Sequence, residues 1–411
     1  MTEQLSFIHA ADLHLDSPFQ GLASVPEAIF KQIQGSTFDA LDNLVKTAIG
    51  KKVDFILLVG DLFDNERQSL KAQIKLKNAF EELYRHNINV YMSYGNHDFI
   101  NGNTYPVTYP DNVYIFKEEK VGYFTFNQKG KPLANIHGFS YENRSINENK
   151  TAEFQVQNGE AAFHIAMLHG SLYSNTEHDT YAPFHLSELS DKEFDYFALG
   201  HIHQREIMKT DPPIIYSGNT QGRNRKEAGA KGCYHVVLDK GQAADVTFIP
   251  LQAIQFNRLT VDVSDCTEPH VMEKVIQHTI EEQSYQVPQL LFVELKGRGQ
   301  SLNKWSRDGY VEETIELLND ASITKDRWDF IYRYKIKVNQ AYDEKELVKG
   351  DHFIGELLRH SEDAPIHTYT EELYRHKQAR KYIESMTLAD ENDIREQAKS
   401  LLINELLKGG D

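Results

Sequence analysis

Five short apolar runs each end in side chains that bind metal, and this recurrence constrains the fold more than any other feature of the sequence. "LSFIHA" (5–10) is followed by Asp12 and His14, and "VDFILLVG" (53–60) by Asp61. "INVYMSYG" (88–95) leads to Asn96, His97 and Asp98, "AAFHIAMLHG" (161–170) carries His169, and "FDYFALG" (194–200) leads to His201 and His203. β-Rich runs of this length read as strands, and an unbroken one such as 53–60 suits a sheet covered on both faces. Helical patterns lie between them. Residues 38–52 put Leu41, Leu44, Val45 and Ala48 on one stripe, and 69–86 turn Leu70, Ile74, Phe80 and Leu83 inward. The alternation predicts an α/β layer architecture, in which ligands gather at the carboxyl ends of the strands.

"GHIH" places two imidazoles at i and i+2, on one side of an extended chain and roughly 6.5–7 Å apart. Alone, such a pair is either two ligands for one pocket or coincidence. Five motifs in series, all at strand ends, favour the pocket. The donors are Asp, His and Asn, with no Cys, a set that suits Mn, Fe, Zn or Mg. Two such ions about 3.5–4 Å apart, bridged by one carboxylate such as Asp61, form a clamp for in-line displacement at phosphorus. They activate water at neutral pH and neutralise phosphate oxygens, and a nearby imidazole such as His97 can protonate the departing oxygen.

The alternation continues to about residue 252, the expected end of the first domain. Residues 256–341 then read βαβαβ, a separate small α/β domain, and 343–411 read as a helical tail. The net charge of −17 excludes wholesale coating of nucleic acid, yet leaves nucleic acid open as a substrate, because a bound metal pair reverses the local sign. No apolar run approaches the ~20 residues of a membrane span. The start, "MTEQLSFIHAADLHLD", lacks a basic leader, and two cysteines cannot build a disulfide framework; the expectation is a reducing cytoplasm.

The motifs D-x-H, G-D, G-N-H-D, H-G and G-H-x-H, in this order, resemble those of the calcineurin-like metallophosphoesterases. The second domain and helical tail resemble the SbcD nuclease subunit, and "HAADLHLDSPFQGL" (9–22) and "YSGNTQGRNRKEAGAKGC" (216–233) resemble its YhaO branch. The resemblance implies a layered phosphoesterase sheet with helices outside, capped by a small α/β domain. It implies two divalent ions, most commonly Mn. One would take Asp12, His14, Asp61 and His203, and the other Asp61, Asn96, His169 and His201. His97 becomes the catalytic histidine, with Asp98 to orient it. The implied activity is a DNA exonuclease, 3′–5′, in DNA repair. The implied partner is an SbcC-like coiled-coil ATPase held by helices such as 373–386 and 391–410, with a homodimer as the assembly.

One position departs from the pattern. SbcD-type nucleases commonly carry His three residues after the bridging Asp, and here Asp64 stands there. An anion beside a phosphate site repels substrate unless it is protonated, turned away or paired. Arg223, Arg225 and Lys226, in a Gly-rich loop after "IIYSG", are candidates to hold the phosphate backbone, or simply a solvated basic loop. Two other functions stay open: the same chemistry on small nucleotides or phosphoprotein, and a non-catalytic scaffold for the ATPase.

Overall fold

The computed structural model describes residues 3–22, 25–64, 68–102, 107–156, 160–173, 181–298, 301–339, 353–362, 364–376, 386 and 388–408. The chain divides into two compact units, one of residues 1–18, 27–257 and 286–290, the other of 19–26, 258–285 and 291–411.

The first unit holds two six-stranded sheets. In one, β1 (Gln4–Ala10), β2 (Phe55–Val59), β3 (Asn89–Ser93) and β4 (Val113–Ile115) run parallel. Antiparallel strands β11 (Gly232–Asp239) and β12 (Asp245–Pro250) extend it beyond β1. In the other, β6 (Lys131–Gly138), β7 (Phe163–His169), β8 (Tyr196–Gly200) and β10 (Pro213–Tyr216) run parallel. Antiparallel β5 (Gly122–Gln128) and β9 (Glu206–Thr210) close its two edges.

Strand periodicity builds three apolar layers from these sheets. Phe7, Phe55, Leu57, Val59 and Tyr91 face the other sheet, where Ala134, Ile136, Ile165, Met167, Tyr196 and Ala198 meet them. The alternate residues Ile8, Ala10, Ile56, Leu58, Val90 and Met92 pack under helices α1 (Glu27–Lys51) and α2 (Leu70–Arg85). On the far side of the second sheet, Leu168, Phe197 and Leu199 pack against Phe139, Phe154, Phe184 and Leu189 of the short helix α3 (Leu186–Ser190). Covered on both faces, the central strands can be apolar throughout, as their sequences are.

Two helical expectations are corrected. α1 begins at Glu27, well before Phe38: Gly35, Ser36 and Thr37 continue the helix, and Ser36 and Thr37 are fully buried there. In α2 the inward stripe is Ala72, Leu76, Ala79, Phe80 and Leu83, while Leu70 and Ile74 are 48% and 44% exposed. Ser69 caps this helix, its hydroxyl accepting from the Ala72 amide.

Strands β13 (Gln255–Asp262), β14 (Gln289–Arg298) and β15 (Asp329–Asn339) form a three-stranded sheet of the second unit, the first residues of β13 and β14 belonging to the first unit. Met272 and Ile276 of α4 (Pro269–Glu282), Trp305 of α5 (Ser301–Arg307) and Val311 of α6 (Tyr310–Ile323) cover one face of it. Helices α7 (Phe353–Glu362), α8 (Ile366–Arg375) and α9 (Leu388–Lys408) follow. Leu358, Ile366 and Ile403 are buried, while Tyr369, Leu373, Ile394, Leu402 and Leu406 stay exposed. Most of the 373–386 segment lies outside the described residues. Among the described residues, no helix is long and apolar enough to cross a membrane.

Candidate metal centre

The carboxyl ends of β1, β2, β3, β7 and β8 converge, so both sheets of the first unit aim their last residues at one place. Three parallel-sheet bonds carry the chain past β1 and β2: the amides of Asp12, His14 and Leu15 donate to the carbonyls of Gly60 (3.2 Å), Asp61 (3.0 Å) and Leu62 (2.9 Å). The backbone is strained along this rim. Asp12, His14, Asp61 and His201 all adopt positive φ, at 53°, 41°, 49° and 94°. Such conformations cost of order 1–3 kcal/mol each in a non-glycine residue and persist where the surroundings over-determine them.

Two groups result. Asp12, His14 and His203 form one, and Asp61, His169 and His201 the other, with the donor atoms of each group within 4.8 Å of one another. Asn96 joins the second group, its Oδ1 lying 3.0 Å from His169 Nε2 and 3.1 Å from His201 Nδ1. Asp61 stands between them. Its Oδ2 is 3.4 Å from His169 Nε2 and 3.9 Å from His14 Nε2, while its Oδ1 accepts from the His97 amide at 2.9 Å.

The donors have the chemistry to hold cations. His203 Nδ1 donates to Glu227 at 2.8 Å, which leaves its Nε2 lone pair facing His14 Nε2 at 3.0 Å. With His14 Nε2 also unprotonated, the two lone pairs would face a cation held between or beside them. His169 follows the same rule: Nδ1 donates to the Val59 carbonyl at 3.0 Å, leaving Nε2 for the cluster. Burial alone would lower the His169 pKa, yet the Asp61 and Asp12 carboxylates raise it to about 9. Two carboxylates that outweigh burial in this way mark a site of negative potential, which favours cations. Burial pushes the Asp12 carboxyl up; Asp61 overcomes its own burial and falls well below the carboxylate range, through His169 and His14.

The glycines here are steric necessities. A Cβ on Gly95 would sit 2.3 Å from Asp61 Oδ1 and 2.7 Å from His169 Nε2, and one on Gly60 would sit 2.3 Å from His169 Nδ1.

Comparison with known proteins agrees with this geometry. Residues 5–205 match the model of the calcineurin-like phosphoesterases. The chain is 35% identical over 408 residues to the uncharacterized metallophosphoesterase YhaO of Bacillus subtilis, covering 99% of both proteins. The chain belongs to the calcineurin-like metallophosphoesterase family. It is also 29% identical over 232 residues to the DNA double-strand break repair protein Mre11 of Methanocaldococcus jannaschii, covering 54% of this chain and 58% of that one. A protein of the same name from Sulfolobus acidocaldarius is 23% identical over 362 residues, covering 83% and 84%. Metallophosphoesterases bind divalent metals, and the two groups are the candidate donors.

The remaining predicted residues of this metallophosphoesterase sit close by. His97 is half-buried at the mouth, its ring edge-on to His14 with centroids 5.0 Å apart. Its Nδ1 donates to the Asp64 carbonyl at 2.9 Å. The expected orienting role of Asp98 is therefore corrected. The Asp98 carboxylate accepts from the amides of Gly95 (2.7 Å), Leu62 (2.7 Å) and Phe63 (3.4 Å), tying the loop after β3 to the loop after β2. Burial and the neighbouring Asp61 raise its carboxyl to about 7.

Asp64 is paired, not bare. Burial would raise its pKa, but His14 and the Arg223 guanidinium hold it at about 2. Arg223 is turned inward onto this carboxylate. Arg225 is half-buried and Lys226 exposed. Lys231 is buried and donates to the His203 carbonyl at 2.8 Å. Glu227 was not singled out from the sequence; the signal was one acidic residue inside the basic loop "GRNRKEAG".

Proposed function

We propose that this metallophosphoesterase is a two-metal phosphodiesterase that degrades DNA from its ends, 3′–5′, in cytoplasmic DNA repair alongside a coiled-coil ATPase. One observation carries the reading: a single buried carboxylate oxygen, Asp61 Oδ2, faces two clusters of imidazole and carboxylate donors. Asp12, His14, Asp61 and His203 would hold one cation, and Asp61, Asn96, His169 and His201 the other. A bound pair supplies a nucleophile at neutral pH and neutralises the phosphate oxygens. The two similar proteins named for double-strand break repair support DNA as the substrate.

The chain's own groups do the rest. Glu227 and the Val59 carbonyl fix the tautomers of His203 and His169. The Asp64 carbonyl accepts from His97 Nδ1, so that Nε2 is the atom available to the leaving oxygen. His97, His201 and His203 are the partly accessible members of a buried set, so substrate reaches the site on their side. The exposed side chains of the tail are the candidate surface for the ATPase.

The test is purified protein with manganese and end-labelled DNA. The expected product is a ladder shortened from the 3′ end. Intact DNA, with the chain alone and with a coiled-coil ATPase, would remove the nuclease reading. Turnover of bis(p-nitrophenyl) phosphate beside intact DNA would move the substrate to a smaller phosphodiester.

A further inference from the structure

We infer that Asp64, Arg223 and Glu227 form a positioning clamp that aims His14 and His203 at one shared cation, and that Arg223 does not contact phosphate. The inference rests on the two-cation reading above.

The clamp joins residues 159 positions apart in the chain. Arg223 stands between two carboxylates, with Nη1 on Asp64 and Nη2 3.4 Å from Glu227 Oε1. Its side chain is only 15% exposed. Each carboxylate in turn addresses one imidazole. Glu227 Oε1 accepts from His203 Nδ1 at 2.8 Å, while Oε2 accepts from Asn219 Nδ2 (2.8 Å) and the Arg223 amide (2.7 Å). Asp64 Oδ1 lies 3.4 Å from His14 Nδ1, an approach short of a formed hydrogen bond. Arg223 Nη2 also lies 3.2 Å from His203 Nδ1, but two donors cannot bond each other; the acceptor-only Glu227 carboxylate receives the Nδ1–H instead.

The result is symmetrical in effect. Both rings have their Nδ1 side turned to a carboxylate, and both present Nε2 to the same point, 3.0 Å apart. The rings come from different sheets, and a planar guanidinium holds its separate donors at fixed angles to two carboxylates, which a flexible point-charge ammonium does not. The charge count argues against phosphate binding: one guanidinium against two carboxylates leaves the trio net negative. The side chain at position 64, which looked hostile to substrate, is half of the clamp.

Manganese titration of the full chain, followed by calorimetry and electron paramagnetic resonance, tests this. Wild type should bind two ions with a spin-coupled signal. Glu227→Gln and Arg223→Met should each weaken one of the two binding steps about 10–100-fold and leave an uncoupled, single-ion signal. In both, kcat for bis(p-nitrophenyl) phosphate should fall while KM holds. Arg223→Lys, which keeps charge and length and so guards against a fold defect, should lose the same step. Two ions bound at wild-type affinity in Arg223→Met, with only KM raised, would overturn the clamp and return Arg223 to the substrate. A wild-type chain that binds no ion pair would sink the two-cation reading itself, and the clamp with it.

Discussion

Asp61 approaches His169 with the same oxygen that it turns toward His14: Oδ2 lies 3.4 Å from one Nε2 and 3.9 Å from the other. A carboxylate so placed serves both donor groups, so its removal should be felt by both. Asp61→Ala is expected to lose both manganese ions together, and phosphodiesterase turnover with them. Metal content per chain by mass spectrometry decides it; retention of one full equivalent would mean that the groups do not share the residue.

Gly95 makes the same point sterically. Its missing side chain leaves room for Asp61 Oδ1, which would lie 2.3 Å from a Cβ there. Gly95→Ala should therefore displace Asp61 and His169 and weaken manganese binding, with a smaller effect on the melting temperature because the core layers are untouched. Unchanged metal affinity would show that the loop yields at little cost.

The convergence of the candidate donors was legible because each ends its strand or follows it within a few residues, and strand direction then fixes where it goes. What needed the structure is competition between partners. His97 and Asp98 are adjacent in sequence, yet three backbone amides, two of them from a loop over thirty residues earlier, claim the Asp98 carboxylate. In α2, Leu70 and Ile74 outweigh the small Ala72 and Ala79 to the eye, while the packed face is the one that lets the helix lie close to the sheet. Glu227 is one acid among basic neighbours; only the fold shows that it meets His203.

These two neighbours should separate in experiment. His97→Ala removes a half-buried ring at the mouth and no donor of either metal group. It should retain two manganese ions and its melting temperature, while turnover falls about 10²–10⁴-fold, the range for a lost general acid. Asp98→Ala should instead strand buried amides, at about 1–3 kcal/mol for each one left unsatisfied, and lower the melting temperature. Thermal melts and single-turnover rates on both variants suffice. A His97→Ala enzyme at full rate would exclude the ring from proton transfer.

A last expectation concerns pH and a histidine outside both donor groups. His9 is fully buried between the sheets, and both ring nitrogens are used. The Leu199 carbonyl can only accept, so Nε2 donates to it at 3.1 Å, and Nδ1 accepts from the Tyr196 hydroxyl at 3.0 Å. Protonating the ring would break the second bond and bury a charge. Burial accordingly drives the His9 pKa down to about 3, partly resisted by the Leu199 carbonyl. In the unfolded chain an ordinary histidine takes a proton near 6.5. The unfolded state thus binds the extra proton first, so the contribution of His9 is complete above about 6.5 and is lost progressively as pH falls toward 3. Between pH 8 and pH 5 the loss from this residue should be about 2 kcal/mol. His9→Gln keeps a polar group that cannot titrate there. It should be less stable than wild type at pH 8, with a gap that narrows by about that amount at pH 5. Urea unfolding of both proteins at the two pH values measures it, and a gap independent of pH would show that His9 is not held neutral by the fold.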